Sequence, residues 1–188
     1  MKKLILASAS PRRKEIFKQL GLSFEIKPSS KEPPMQSGGD VKAAVLFSAR
    51  TKAEDIFQSC PDAVVVGADT VVVLDGRALG KPKDEEDAKR ILKSLSGREH
   101  EVLTGVYVCS ENVKKGFVAT TKVEFYELSD EEIEWYVKTG EPMDKAGAYG
   151  VQSKGVRFVK GIVGDYFNVV GFPAAEFIRT FQEVLKND

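Results

Sequence analysis

Apolar and polar positions change their spacing several times along the chain, and each change marks an element. Leu4–Ala7 is a short apolar run that reads as a buried strand, after which Ile16, Phe17 and Leu20 recur at helical spacing until Gly21 supplies a stop. Ser23–Lys27 alternates like a second strand. Residues 28–40, PSSKEPPMQSGGD, are rich in turn formers and end at Asp40, which can cap a helix from Val41 to about Phe57. Residues 63–79, AVVVGADTVVVLDGRAL, form a β-branched run interrupted at Gly67-Ala68-Asp69 and closed by the Asp75-Gly76 hairpin signal. Asp84–Leu95 predicts a helix with an acidic first turn, and Glu99–Cys109 and Phe117–Glu127 predict long antiparallel strands. Asp130–Thr139 predicts a capped helix. Residues 140–152, GEPMDKAGAYGVQ, are too glycine-rich for a regular element and read as a functional loop. Strands around Arg157–Ile162 and Tyr166–Val170 and an amphipathic helix after Pro173 complete the pattern. With no repeat and no flexible linker, it predicts one α/β domain over residues 1–188, a mixed β-sheet with flanking helices.

Several polar residues sit awkwardly in this pattern. Ser10 suits an N-cap and Pro11 the first helical turn, so Arg12, Arg13 and Lys14 crowd the positive end of the helix dipole. A phosphate group would compensate, held by free backbone N–H groups, the Ser8 and Ser10 hydroxyls and the basic side chains; the alternative is a capped surface helix with solvated arginines. Asp69 interrupts a strand that otherwise reads as core, where a carboxylate must be paired, hydrogen-bonded or bound to metal. It is either functional or a local cap on backbone N–H groups. Thr70 beside it is either a β-former or a hydroxyl facing ligand. Lys52 falls mid-helix, where its long side chain either stays in solvent or reaches across a cleft. Lys81, fixed between Gly80 and Pro82, is a separate phosphate-ligand candidate, although the spacing is not that of a Walker loop. Glu32, in the turn-rich loop, is either an exposed acid or a ligand for a divalent metal. The single histidine, His100, has no nucleophile beside it and receives no role.

Bulk properties narrow the field. The 188 residues carry 28 basic and 28 acidic side chains without a basic block, which gives no support for stable nucleic-acid binding. Cys60 and Cys109 lack metal-ligand spacing and imply a reducing compartment. No segment is long enough to cross a membrane, and the apolar start is too short for a signal peptide, so the expected location is the cytoplasm.

Taken together, SASPRR (8–13), GADTVV (67–72), LGKP (79–82), LSGREHEVLTGV (95–106) and EPMDKAGAYGVQ (141–152) closely resemble the Maf family of nucleoside triphosphate pyrophosphatases. The resemblance covers nearly the whole chain. It implies two α/β lobes around a nucleotide cleft, similar to the inosine triphosphate pyrophosphatases, and commonly a homodimer. Arg12, Thr70 and Gln152 match the family branch acting on dTTP and UTP rather than the branch acting on 7-methyl-GTP. The implied reaction is metal-dependent hydrolysis to the monophosphate and pyrophosphate. Asp69 would orient or deprotonate water, with Arg13, Lys52 and Lys81 neutralising phosphate charge and Glu32 and Asp69 holding Mg2+ or Mn2+. A non-catalytic nucleotide-binding regulator of septum formation is the competing expectation from another class.

Overall fold

A computed structural model describes residues 2–33 and 39–186; residues 34–38 of the expected turn-rich run lie outside them. Strand β1 (Leu4–Leu6) lies parallel to both β2 (Glu25–Ile26) and β3 (Val64–Leu74), with Leu4, Ile5 and Leu6 opposite Val64, Val65 and Val66. The Asp75-Gly76 turn returns β3 into antiparallel β4 (Arg77–Leu79), as its sequence predicts. With β5 (Glu99–Cys109), β6 (Lys114–Phe125) and β7 (Val159–Val163), these make a seven-stranded mixed sheet in the order β2-β1-β3-β5-β6-β7, with β4 on β3.

The helices begin where their caps place them. Helix α1 (Pro11–Gln19) follows Ser10, α2 (Val41–Ser59) follows Asp40, whose carboxylate accepts from the Lys42 and Ala43 N–H groups, and α3 (Glu85–Leu95) follows Asp84. A full capping box between Ser129 and Glu132 starts α4 (Asp130–Val137). The last elements are α5 (Tyr166–Val170), α6 (Ala174–Thr180) and α7 (Gln182–Lys186).

Two expectations are corrected here. Gly67-Ala68-Asp69 does not break the strand, because β3 runs unbroken from Val64 to Leu74. Gly67 instead admits a helix: a Cβ there would lie 2.2 Å from the Ala49 carbonyl oxygen and 2.8 Å from the Ala53 nitrogen, so its missing side chain lets α2 pack directly on the strand. Tyr166–Val170 is a helical turn rather than a strand. Asp165 nucleates it, its carboxylate accepting from the Phe167 N–H at 2.8 Å while its main chain is held by the Thr121 hydroxyl.

The chain divides into two compact units, one of residues 1–70, 104–119 and 171–188, the other of 71–103 and 120–170. In the first, Ile5, Ala7 and Val65 pack with Ala49 and Ala53 of α2 and with Tyr107 and Cys109 of β5. Phe17 of α1 packs edge-on against Phe24 and tilted against Phe172 and Phe177. The second buries Ile91, Leu92 and Leu95 of α3 against Ile133, Tyr136 and Val137 of α4 and an aromatic group of Phe125, Tyr149 and Phe158.

Candidate active site

The junction between β1 and α1 gathers the first part of the site. Ser8, buried at the strand end, accepts from the Ser10 N–H at 3.3 Å and from Arg13 Nη1 at 3.1 Å, which leaves its own proton for another acceptor. Ser10 caps the helix by accepting from the Arg13 N–H at 3.5 Å. The half-buried Arg13 side chain also donates from Nε to the Gly171 carbonyl at 2.9 Å and from Nη2 to the Thr70 hydroxyl at 3.0 Å. Three of its five N–H groups are thus held by uncharged acceptors. Burial lowers the pKa of Arg13, an effect that the Asp69 charge opposes and Arg12 reinforces. A guanidinium remains charged under such a shift, so its partners fix its direction without cancelling its charge.

The second part lies between α2 and β3. Lys52 is buried, and its Nζ lies 3.1 Å from Asp69 Oδ1 and 3.4 Å from Glu32 Oε1. Its place follows from helical spacing, because Val45, Ala49 and Ala53 seat α2 on the sheet and carry Lys52 with the buried face. Asp69 is mostly covered, with a side-chain exposure of 22 %, whereas Glu32 at 78 % reaches in from solvent. The Asp69 carboxylate is thus held by the Lys52 ammonium.

Ser8, Ser10, Arg13, Glu32, Lys52, Asp69 and Thr70 therefore all belong to the first unit, with half-buried Arg12 on the same helix. Lys81 and Gln152 belong to the second, and both are exposed. Pro82 is buried beside Lys81, and the Gly80 carbonyl accepts from the Gly147 N–H at 3.1 Å, which ties the LGKP turn to the AGAYG loop. The loop expected to be irregular has two 3-10 turns, Glu141–Asp144 and Ala146–Ala148. It is pinned on both sides of Gln152: the Tyr136 hydroxyl accepts from the Gly150 N–H and donates to Glu141, and the Ser153 hydroxyl also donates to Glu141. Burial opposes ionisation of Glu141, but the hydrogen bonds from Ser153 and Tyr136 outweigh it and hold the carboxyl below its usual range. His100 is core, bonded through Nε2 to the Tyr149 hydroxyl at 2.8 Å, and burial pushes its pKa down to about 4.

Two partners in the site escape a reading of the sequence. Thr104, fully buried on β5, sits with its hydroxyl 2.9 Å from that of Thr70, and the Gly171 carbonyl receives both Arg13 and Thr70. The only signal for Thr104 is a hydroxyl inside the apolar run Val102–Val106; Gly171 contributes a backbone atom, which no side-chain pattern reveals.

No group of three or more His, Cys, Asp or Glu residues that could hold a metal ion occurs among the described residues. Glu32 and Asp69 nevertheless already converge on one cation, the Lys52 ammonium, and two carboxylates are what a magnesium-type ion takes when phosphate oxygens and water complete its shell.

An anchored guanidinium and a carboxylate held by a lysine thus lie in one unit of an α/β protein. The chain belongs to the Maf family, matched over residues 3–184 as a Maf-like protein. It is 49% identical over 182 residues to the dTTP/UTP pyrophosphatase of Bacillus pumilus (strain SAFR-032), covering 97% of this chain and 96% of that protein. It is 50% identical over 179 residues to the dTTP/UTP pyrophosphatase of Geobacillus sp. (strain WCH70), covering 95% and 96%. Its fold is similar to that of a HAM1 protein from Coxiella burnetii, with a TM-score of 0.51 at 14% identity over 98% of this chain and 100% of the other.

Proposed function

We propose that this protein hydrolyses dTTP and UTP between the α- and β-phosphates, releasing the nucleoside monophosphate and pyrophosphate. The observation that carries the reading is Arg13, whose guanidinium is fixed by the uncharged Ser8, Thr70 and Gly171 within a site that also holds the Lys52–Asp69 pair. A charge anchored by neutral groups can stabilise a phosphate as negative charge builds on it, with little reorganisation. The Ser8 proton and the uncommitted Arg13 N–H groups bind the phosphate chain. Lys52 holds Asp69 through Oδ1, so that the carboxylate can orient a water and receive its proton. Glu32 and Asp69 would hold a divalent cation, which when bound lowers the pKa of water and neutralises phosphate charge. Lys81 adds a further phosphate contact, and the Gln152 amide, able to donate and accept, pairs with the carbonyl and N–H edge of a pyrimidine.

Separating the products tests the reaction. The protein incubated with dTTP and Mg2+ is expected to yield dTMP and pyrophosphate in equal amounts; dTDP and inorganic phosphate would contradict the assignment. Removing the cation with a chelator is expected to abolish turnover, and Mg2+ or Mn2+ to restore it. Full activity in the chelator would remove the metal from the account.

A further inference from the structure

The Thr70 hydroxyl has more neighbours than a ligand-facing group needs. Its oxygen lies 3.0 Å from Arg13 Nη2, 2.9 Å from the Thr104 hydroxyl and 3.3 Å from the Gly171 carbonyl. A hydroxyl has one proton and two lone pairs. Arg13 can only donate, so it occupies one lone pair, and the Gly171 carbonyl can only accept. If Thr70 gives its proton to Gly171, Thr104 donates into the second lone pair and the three contacts of Thr70 are satisfied. If Thr70 instead gives its proton to Thr104, Gly171 still has Arg13 Nε at 2.9 Å. In each arrangement Thr70 accepts from Arg13, and Thr104 takes part in fixing the direction of that hydroxyl.

We infer that Thr104 is a positioning residue of the anion site: its hydroxyl orients that of Thr70, so that Thr70 accepts from Arg13 and aims the guanidinium. Thr104 is fully buried, and its influence on a phosphate passes through Thr70 and Arg13. Removing its hydroxyl frees Thr70 to turn toward Gly171 alone and loosens one of the three anchors of the guanidinium. Positioned charges lose much of their effect when their direction slackens, since the benefit lies in being aimed before the reaction.

The test compares Thr104→Val, which keeps the shape, with Thr104→Ser, which keeps the hydroxyl, and with Thr104→Ala should the valine variant fold poorly. Binding of inorganic pyrophosphate is measured by calorimetry alongside dTTP turnover. Thr104→Val and Thr104→Ala are expected to weaken pyrophosphate binding and to lower kcat/KM by about tenfold, the scale of one lost hydrogen bond in a charged site, with Thr104→Ser within about twofold of wild type. In an Arg13→Lys background the Thr104→Val loss should vanish, because a lysine cannot use the Thr70 anchor in the same way; a purely structural effect would persist. Equal behaviour of the valine, alanine and serine variants, or full additivity with Arg13→Lys, would overturn the inference. The inference rests on the proposed nucleotide reaction, and wild-type protein that binds pyrophosphate but leaves dTTP intact would contradict that reaction while leaving the Thr104 comparison readable from binding.

Discussion

Asp69→Asn removes a charge and a proton acceptor while leaving the volume of the side chain and the burial of its strand unchanged. Turnover of dTTP is expected to fall by at least about a hundredfold, the usual scale for a positioned acid or base, with the thermal midpoint little altered. Near-normal turnover by a folded Asp69→Asn protein would take Asp69 out of the mechanism. Arg13 and Lys81 separate under the same kind of test. Arg13→Ala removes a donor from the Gly171 carbonyl and from the Ser8 and Thr70 hydroxyls, so it should cost stability, roughly 1–3 kcal/mol, as well as activity. Lys81 is exposed, and Lys81→Ala should lower kcat/KM without moving the denaturation midpoint. From sequence both cations read as phosphate clamps with no structural duty; the backbone acceptor at Gly171, more than 150 residues away, comes to Arg13 only through the fold.

At the scale of elements, the site depends on how closely α2 lies against the sheet. Gly67 and Gly105 both face its backbone, where a Cβ would come within 2.2 Å of the Ala49 carbonyl and 2.6 Å of the Val45 carbonyl. Gly67→Ala must push α2 away and carry Lys52 from Asp69, so urea denaturation should show a loss of about 3 kcal/mol or more, or no cooperative fold. A Gly67→Ala protein with wild-type stability would refute this account of the glycine. Helix caps, the Asp75-Gly76 hairpin and the long β5 strand were legible because their signals are local. The unbroken β3 and the α5 turn were not: glycine and aspartate in a strand look like a break until a helix is seen packed on the glycine, and Tyr166–Val170 has β-forming residues overruled by the contacts of Asp165. The Glu141 contacts with Tyr136 and Ser153 make a further prediction for the loop bearing Gln152. Glu141→Ala should raise amide hydrogen exchange at Gly150 and its neighbours well above that of α3.

Across the whole molecule, acid should destabilise the fold through His100. Its folded pKa of about 4 lies below the ordinary value of 6.5, so the neutral ring stabilises the fold fully above pH 6.5 and the contribution is lost as pH falls toward 4. The loss is bounded at about 3 kcal/mol, and urea midpoints should fall between pH 7 and pH 4.5 in wild type but less steeply in His100→Phe. Equal slopes would show that other groups govern the acid limb. The division into two units distributes the expected ligands, with Arg13, Lys52 and Asp69 in one and Lys81 and Gln152 in the other. The sequence motifs exposed the family and the residue types of the site, whereas hydrogen-bond partners such as Thr104 depend on strand neighbours that no local pattern encodes. Substrate choice is the property that most directly reports the assigned reaction. Initial rates of pyrophosphate release, measured under one set of conditions for dTTP, UTP, dCTP, ATP, GTP and 7-methyl-GTP, should give the highest kcat/KM for dTTP and UTP, and Gln152→Glu should reduce those two more than the purines by roughly one to two powers of ten. A wild-type protein that prefers 7-methyl-GTP, or that releases no pyrophosphate from any of them, would contradict it.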